Sequence, residues 1–214
     1  MSFFYTMALA RRGVQIPARK WQESGMDDEK QGNGRSKRGG ERRLPPPLDE
    51  AGLRDLALHY AARFATTRLK LLRYLARKLK ERGWAGDRPA PLEALADRLA
   101  ELGYVNDAAF AAMKSRAMAA RGLGHRRVTE HLHAAGVGEA DRGEAPDEQA
   151  ALATALSFAR RKRLGPFARE RSDDPAARQK ALAAMLRAGH AMGVARAILA
   201  ARSVAEAEAL IAAD

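Results

Sequence analysis

The 214-residue chain contains no cysteine, which excludes disulfides and cysteine-ligated zinc and fits a cytoplasmic protein. No run approaches the roughly 20 apolar residues of a membrane span. The first ten residues are mildly apolar, but basic residues follow them instead of preceding them, the reverse of a secretory signal, and the expected location is the cytoplasm. Aromatic residues make up only 6%. With abundant Ala, Leu, Arg and Glu, that scarcity points to an all-α chain. Acids are short too: 38 Lys and Arg stand against 26 Asp and Glu, a formal net charge of +12. A protein so basic is expected to meet nucleic acid, an anionic membrane or an acidic protein face.

Catalytic constellations are also missing, so neither an enzyme nor a cofactor is expected. His131 and His133 are two apart and diverge on a helix, which makes a poor metal pair. No His-Glu-x-x-His motif occurs. Gly32-Asn-Gly-Arg-Ser-Lys37 lacks the Gly-Lys-Ser/Thr ending of a phosphate loop and any flanking strand. A hydrolase is the weakest of the functional classes considered.

What the chain does have is a recurring spacing. Leu75-Leu79-Gly83, Leu95-Leu99-Gly103, Val128-Leu132-Gly136 and Ala181-Met185-Gly189 each place two apolar residues four apart, then a glycine. The apolar pair shares one helix face, and the glycine suits the left-handed stop of a helix. Trp84, Tyr104 and Val137 follow the first three glycines, where a Schellman ending packs its next residue back; His190 breaks the pattern in the fourth. Trp84 and Tyr104 are expected as core anchors rather than base-stacking platforms.

Residues 1–48 differ from the rest. Gly25 to Arg43 has no apolar periodicity and Pro45-Pro46-Pro47 follows, so a disordered basic tail with a polyproline spacer is expected. Met7 and Met26 both allow a later translation start. Folded structure should begin near Asp49, with apolar stripes at Leu53, Leu56, Ala57, Tyr60 and Phe64, then at Leu71, Leu72, Leu75 and Leu79, then at Leu92, Leu95, Ala96, Leu99 and Leu102. Thr66 or Thr67, Asn106, Asp147 and Asp174 are helix N-caps, the last followed by Pro175 at the first helical position. Val105 and Phe110 occupy the positions of a hydrophobic staple around Asn106. The reading is three helical repeats, 49–105, 106–146 and 147–214, the last including the C-terminal tail.

The strongest binding signal lies between Thr67 and Arg82. Arg68, Lys70, Arg73, Arg77, Lys78, Lys80 and Arg82 face a single acid, Glu81. At 100° per residue Lys70, Arg73, Arg77 and Lys80 fall in one quadrant, opposite the leucines. A solvated helix would mix in more glutamate, so a contact surface for DNA phosphate or an acidic protein competes with a merely solvated face. Gly122-Leu-Gly-His-Arg-Arg127 is a second candidate: two glycines before a basic helix start let backbone N–H groups approach an anion, and Arg126 and Arg127 add forked donors. Lys114, Arg116 and Arg121 bring charge nearby. Arg160, Arg161, Lys162 and Arg163 form a run near a helix end, where cations complement the helix dipole or bind a partner.

In this order the motifs resemble the RecX family, regulators of the RecA recombinase. Four segments carry the resemblance: Leu75-Ala-Arg-Lys-Leu-Lys-Glu-Arg-Gly83, Leu102-Gly-Tyr-Val-Asn-Asp-Ala-Ala-Phe-Ala111, Gly124-His-Arg-Arg-Val-Thr-Glu-His-Leu-His-Ala-Ala-Gly-Val137 and Ala155-Leu-Ser-Phe-Ala-Arg-Arg-Lys-Arg-Leu-Gly-Pro-Phe167. The junction around Asn106 is the most specific. Arg187-Ala188-Gly189-His190 keeps only part of the family's pattern. The resemblance implies an elongated, curved, monomeric array of three three-helix repeats. It implies binding to the RecA filament on single-stranded DNA, with DNA phosphates as a further contact, and there either a block on filament extension or promotion of disassembly, lowering ATP hydrolysis and strand exchange in DNA repair and the SOS response. It implies no catalytic activity. The alternative is a helical DNA-binding protein that reads phosphates without a recombinase.

Overall fold

A computed structural model describes residues 45–170 and 174–212; the expected tail up to residue 44, with both alternative starts, lies outside them. The described residues form nine α-helices: α1 Glu50–Arg63, α2 Arg68–Arg82, α3 Leu92–Glu101, α4 Asp107–Ala120, α5 His125–Ala134, α6 Glu148–Lys162, α7 Pro175–Arg187, α8 Met192–Ala200 and α9 Val204–Ala212. Short 3-10 turns cover Glu139–Asp141 and Gly165–Phe167. Among the described residues no helix is long and apolar enough to cross a membrane.

Side-chain caps set most helix starts. Asp49 accepts from the Gly52 amide, Thr67 from Lys70, Asn106 from Ala109, Asp147 from Ala150, and Asp174 from Ala176 and Ala177. Each oxygen satisfies a helix N–H that lacks an intrahelical partner, for about 1 kcal/mol.

The stops use glycines in the left-handed region at Gly103, Gly136 and Gly189, with φ of 76°, 81° and 92°. All three carry the paired bonds of a Schellman motif: Tyr104 N–H to Leu99 carbonyl, Val137 to Leu132 and His190 to Met185, each with the glycine N–H returning three residues. His190, the expected exception, obeys the rule and is 5% exposed. Gly83 is the one that departs. Its N–H bonds Leu79, but its ψ of 173° sends the chain out extended, and Trp84 pairs with Leu48 in an isolated parallel bridge. Leu48, assigned to the tail on sequence, is accordingly 1% exposed: its N–H bonds the Gly83 carbonyl and its carbonyl accepts from Ala85. Phe64 and Leu102, placed on apolar stripes by their spacing, are instead exposed, because each lies just past its helix.

Three apolar cores follow one another along the chain. Leu48, Leu53, Leu71, Leu75, Leu99 and Val105 centre the first; Phe110, Met118, Val128, Leu132 and Val137 the second; Leu152, Leu156, Phe158, Met185 and Ile198 the third. Val105 and Phe110, a staple on sequence, are buried in different cores. Leu123 packs against both the second and third.

Neighbouring cores meet where one helix ends on the start of another. At the first join, the Thr67 hydroxyl donates to the Ala135 carbonyl at 2.6 Å, the Arg68 amide to Asp107 at 2.9 Å and the Arg73 guanidinium to the Ala134 carbonyl at 3.3 Å. At the second, the Gly124 N–H bonds the Ala188 carbonyl at 2.9 Å and the Arg126 N–H bonds Gly189 at 3.3 Å. The backbones approach so closely here that a Cβ on Gly124 would overlap the Gly189 carbonyl, whereas one on Gly103 would meet nothing within 4 Å. Gly124→Ala is therefore expected to cost about 1–3 kcal/mol by overpacking, with loss of contact between the second and third cores. Gly103→Ala should cost only the left-handed backbone strain of about 1–2 kcal/mol and leave that join intact. Urea unfolding, with hydrogen exchange at Gly124 and Arg126, separates the two.

His190 sits in the second join, its Nε2 3.2 Å from the Gly122 carbonyl and its ring 5.4 Å from Phe158. Burial holds it below the ordinary histidine value, and the Gly122 carbonyl only partly opposes this. His131 is also held below that value, chiefly by burial. A depressed histidine means that the unfolded chain binds more protons, so stability rises with pH across the window. The share from each histidine is complete above its unfolded pKa of about 6.5 and is lost as pH falls through the lower folded value. Urea titrations from pH 8 to 5 should show this slope, and His190→Gln should flatten part of it; an unchanged slope would place His190 outside the coupling.

Candidate functional site

The cations on α2 divide into those tied down internally and those left on its outer face. Leu71 and Leu75 fill the buried side. Arg68 belongs to the fold: its guanidinium pairs with Glu93 at 2.5 Å and Asp97 at 2.7 Å, fastening α2 to α3. Lys78 pairs with Glu81 at 2.6 Å. Arg77 lies 3.8 Å from Glu81 and over the Tyr74 ring, and Tyr74 stacks on Tyr60 at 4.1 Å. Arg73, Arg77 and Lys80 are exposed. Lys70 is half-buried, its ammonium 4.4 Å from the centre of the Phe110 ring. Glu81 is the one acid on this helix itself; Glu93 and Asp97 arrive from α3.

At the start of α5, where two preceding glycines are expected to let backbone N–H groups approach an anion, the Gly124 and Arg126 N–H groups are taken by the Ala188 and Gly189 carbonyls, because the end of α7 abuts them. Arg126 also donates to the Leu186 carbonyl at 3.1 Å, and Arg127 pairs with Glu130 at 3.2 Å. Their side chains remain exposed, as do Arg116 and Arg121.

The Arg160–Arg163 run lies exposed on the surface beside the third core. Arg160 forms an ion pair with Glu208 and lies 5.3 Å over Phe167. Arg161 lies 5.9 Å over Phe158. Lys162 is exposed. Arg163 ends α6 in the left-handed region at φ 55°, the sole described non-glycine residue there.

Folding brings together cations that are far apart in sequence. Lys114 on α4 lies 5.8 Å from the same Phe110 ring that Lys70 covers. Burial, then Lys114 and then Arg73, pushes the Lys70 ammonium below the usual lysine range. His131 on α5, set aside on sequence as a poor ligand, feels Lys70, Lys114 and Arg127. Its position three residues after Val128, on the margin of the buried face, was the available signal. His133 is exposed.

Fold and surface thus define an all-helical, strongly basic protein whose cations gather on helix faces. The chain is 32% identical over 183 residues to the protein named Regulatory protein RecX of Myxococcus xanthus (strain DK1622), covering 81% of this chain and 97% of that relative. No family model matches the chain. At this identity and coverage the chain belongs to the RecX family of regulatory proteins.

The division of the α2 cations has a measurable consequence. Arg68→Ala removes two partly exposed ion pairs and should lower stability by about 0.5–1 kcal/mol. Lys80→Ala, on the exposed face, should change it by less than about 0.5 kcal/mol. Thermal unfolding of the two variants at matched salt checks the assignment.

Proposed function

We propose that this protein is a non-enzymatic regulator of the RecA recombinase. It acts in the cytoplasm as a monomer, binds the RecA filament on single-stranded DNA and inhibits filament extension, ATP hydrolysis and strand exchange during DNA repair and the SOS response. In this reading the three cores correspond to three tandem repeats. Membership of the RecX family supports the regulatory role. The observation that carries the choice of surface is the outer face of α2, where Arg73, Arg77 and Lys80 are exposed while Arg68 is spent on α3. Cations held on a rigid helix attract an anionic surface at long range and at low salt most strongly.

The test compares binding to bare single-stranded DNA with binding to RecA filaments preassembled on the same DNA with a non-hydrolysable ATP analogue, across salt. Tighter binding to the filament supports the proposal. Equal or weaker binding, with a steep salt slope on bare DNA, favours a phosphate-reading protein with no recombinase partner. Arg77→Glu combined with Lys80→Glu should reduce filament binding and inhibition of strand exchange at least tenfold, roughly the 1.4 kcal/mol that separates decades, while helicity stays unchanged. Full inhibition by a folded double variant would remove α2 from the interface.

A further inference from the structure

Lys70 on α2 and Lys114 on α4 converge on Phe110, and His131 on α5 lies near enough to feel the charge of both. Both ammonium groups lie over that one ring, at 4.4 and 5.8 Å from its centre. The negative face of an aromatic ring attracts cations, so the ring offsets part of the repulsion between them. Arg73 and Arg127 stand close enough to act on the group electrostatically. The nearest acid on α5, Glu130, is engaged by Arg126 and Arg127. His131 Nε2 is shielded from solvent and has no hydrogen-bond partner among the described residues.

We propose that Lys70, Lys114 and His131, with Arg73 and Arg127 at the margin, form a binding site for a phosphate group. Two features select phosphate over carboxylate. The central donors are two ammonium point charges and an imidazole, and lysine is a common phosphate partner that acts as a point charge, without the bidentate fork that planar carboxylate recognition uses. The donors also arrive from three helices, and a tetrahedral group directs its oxygens toward several directions at once. The shared chemistry is that of a phosphodiester in a single strand or a free phosphate. The site stands whether or not RecA is the partner.

The charged groups acting on His131 are Lys70 from α2, Lys114 from α4 and Arg127 on its own helix, all cationic. A bound phosphate reverses their combined effect and draws a proton onto the ring. By linkage, binding tightens as pH falls through the His131 range. A phosphodiester does not itself titrate there, which makes an oligonucleotide the cleaner probe.

The experiment uses the full chain without RecA. The His131 ring is titrated by NMR alone, with inorganic phosphate, with oligo(dT), and with polyglutamate, all at constant ionic strength. The expected result is an upward shift of the His131 titration with phosphate and oligo(dT). A shift with inorganic phosphate alone supports the site and assigns it to free phosphate. His131→Gln should abolish the pH dependence of oligo(dT) affinity, and His133→Gln should leave it intact. Lys114→Gln should weaken binding several-fold and lower the log–log salt slope by about one. A His131 titration that phosphate and bound oligo(dT) both leave unmoved, or that polyglutamate alone moves, overturns the proposal.

Discussion

The last turn of a helix leaves carbonyls without intrahelical partners, and the first turn leaves N–H groups in the same condition. At the second join each problem solves the other: Ala188 and Gly189 at the end of α7 supply acceptors for Gly124 and Arg126 at the start of α5. At the first join the Thr67 hydroxyl does both jobs, accepting from the Lys70 amide and donating to the Ala135 carbonyl at the end of α5. Aligned peptide dipoles make such head-to-tail contacts favourable as well as satisfied. The arrangement demands close backbone approach, which explains why glycine occupies Gly124 and Gly189 where they meet and Gly136 where it packs on Leu69. Each core is small, and the joins let three of them share ordered termini.

This constraint decides which cations remain for a partner. Arg73 and Arg126 each reach across a join to a helix-end carbonyl, so their charge complements a dipole while their side chains stay exposed. Arg68 and Arg160 are more fully committed, to Glu93 and Asp97 and to Glu208. Net charge alone would rank all of these alike. Ion pairs between partly exposed groups are individually weak, about 0–1 kcal/mol, but they occupy the cation and shrink the effective surface open to an anion.

The features legible in the sequence are those whose cause is local. Asn106, Asp147 and Asp174 cap helices because the oxygen reaches an amide two or three residues on, a distance fixed by the helix itself. The glycine stops are legible for the same reason. What escaped reading depends on distant partners: Leu48 against Trp84, Arg68 against α3, and the α7 terminus against α5. His190 looked like an exception because a polar residue stood where an apolar one was expected. Its ring is a flat body with one N–H to donate, and the Gly122 carbonyl receives it. The cationic group on Phe110 was half legible. Lys70 and Lys114 were identified as charge, but their convergence on one ring follows from the packing of α2 against the second core.

That convergence places the phosphate site astride the first join, with Lys70 and Arg73 on one side and Lys114, Arg127 and His131 on the other. An anion held by both sides would add its binding energy to the Thr67–Ala135 and Arg73–Ala134 contacts. By reciprocity, the free energy by which a bound anion strengthens the join equals that by which the closed join strengthens anion binding. A conformational response at this place therefore needs no separate hinge. It follows from like charges held near one ring and a pair of helix termini, to which an anion adds the opposite sign.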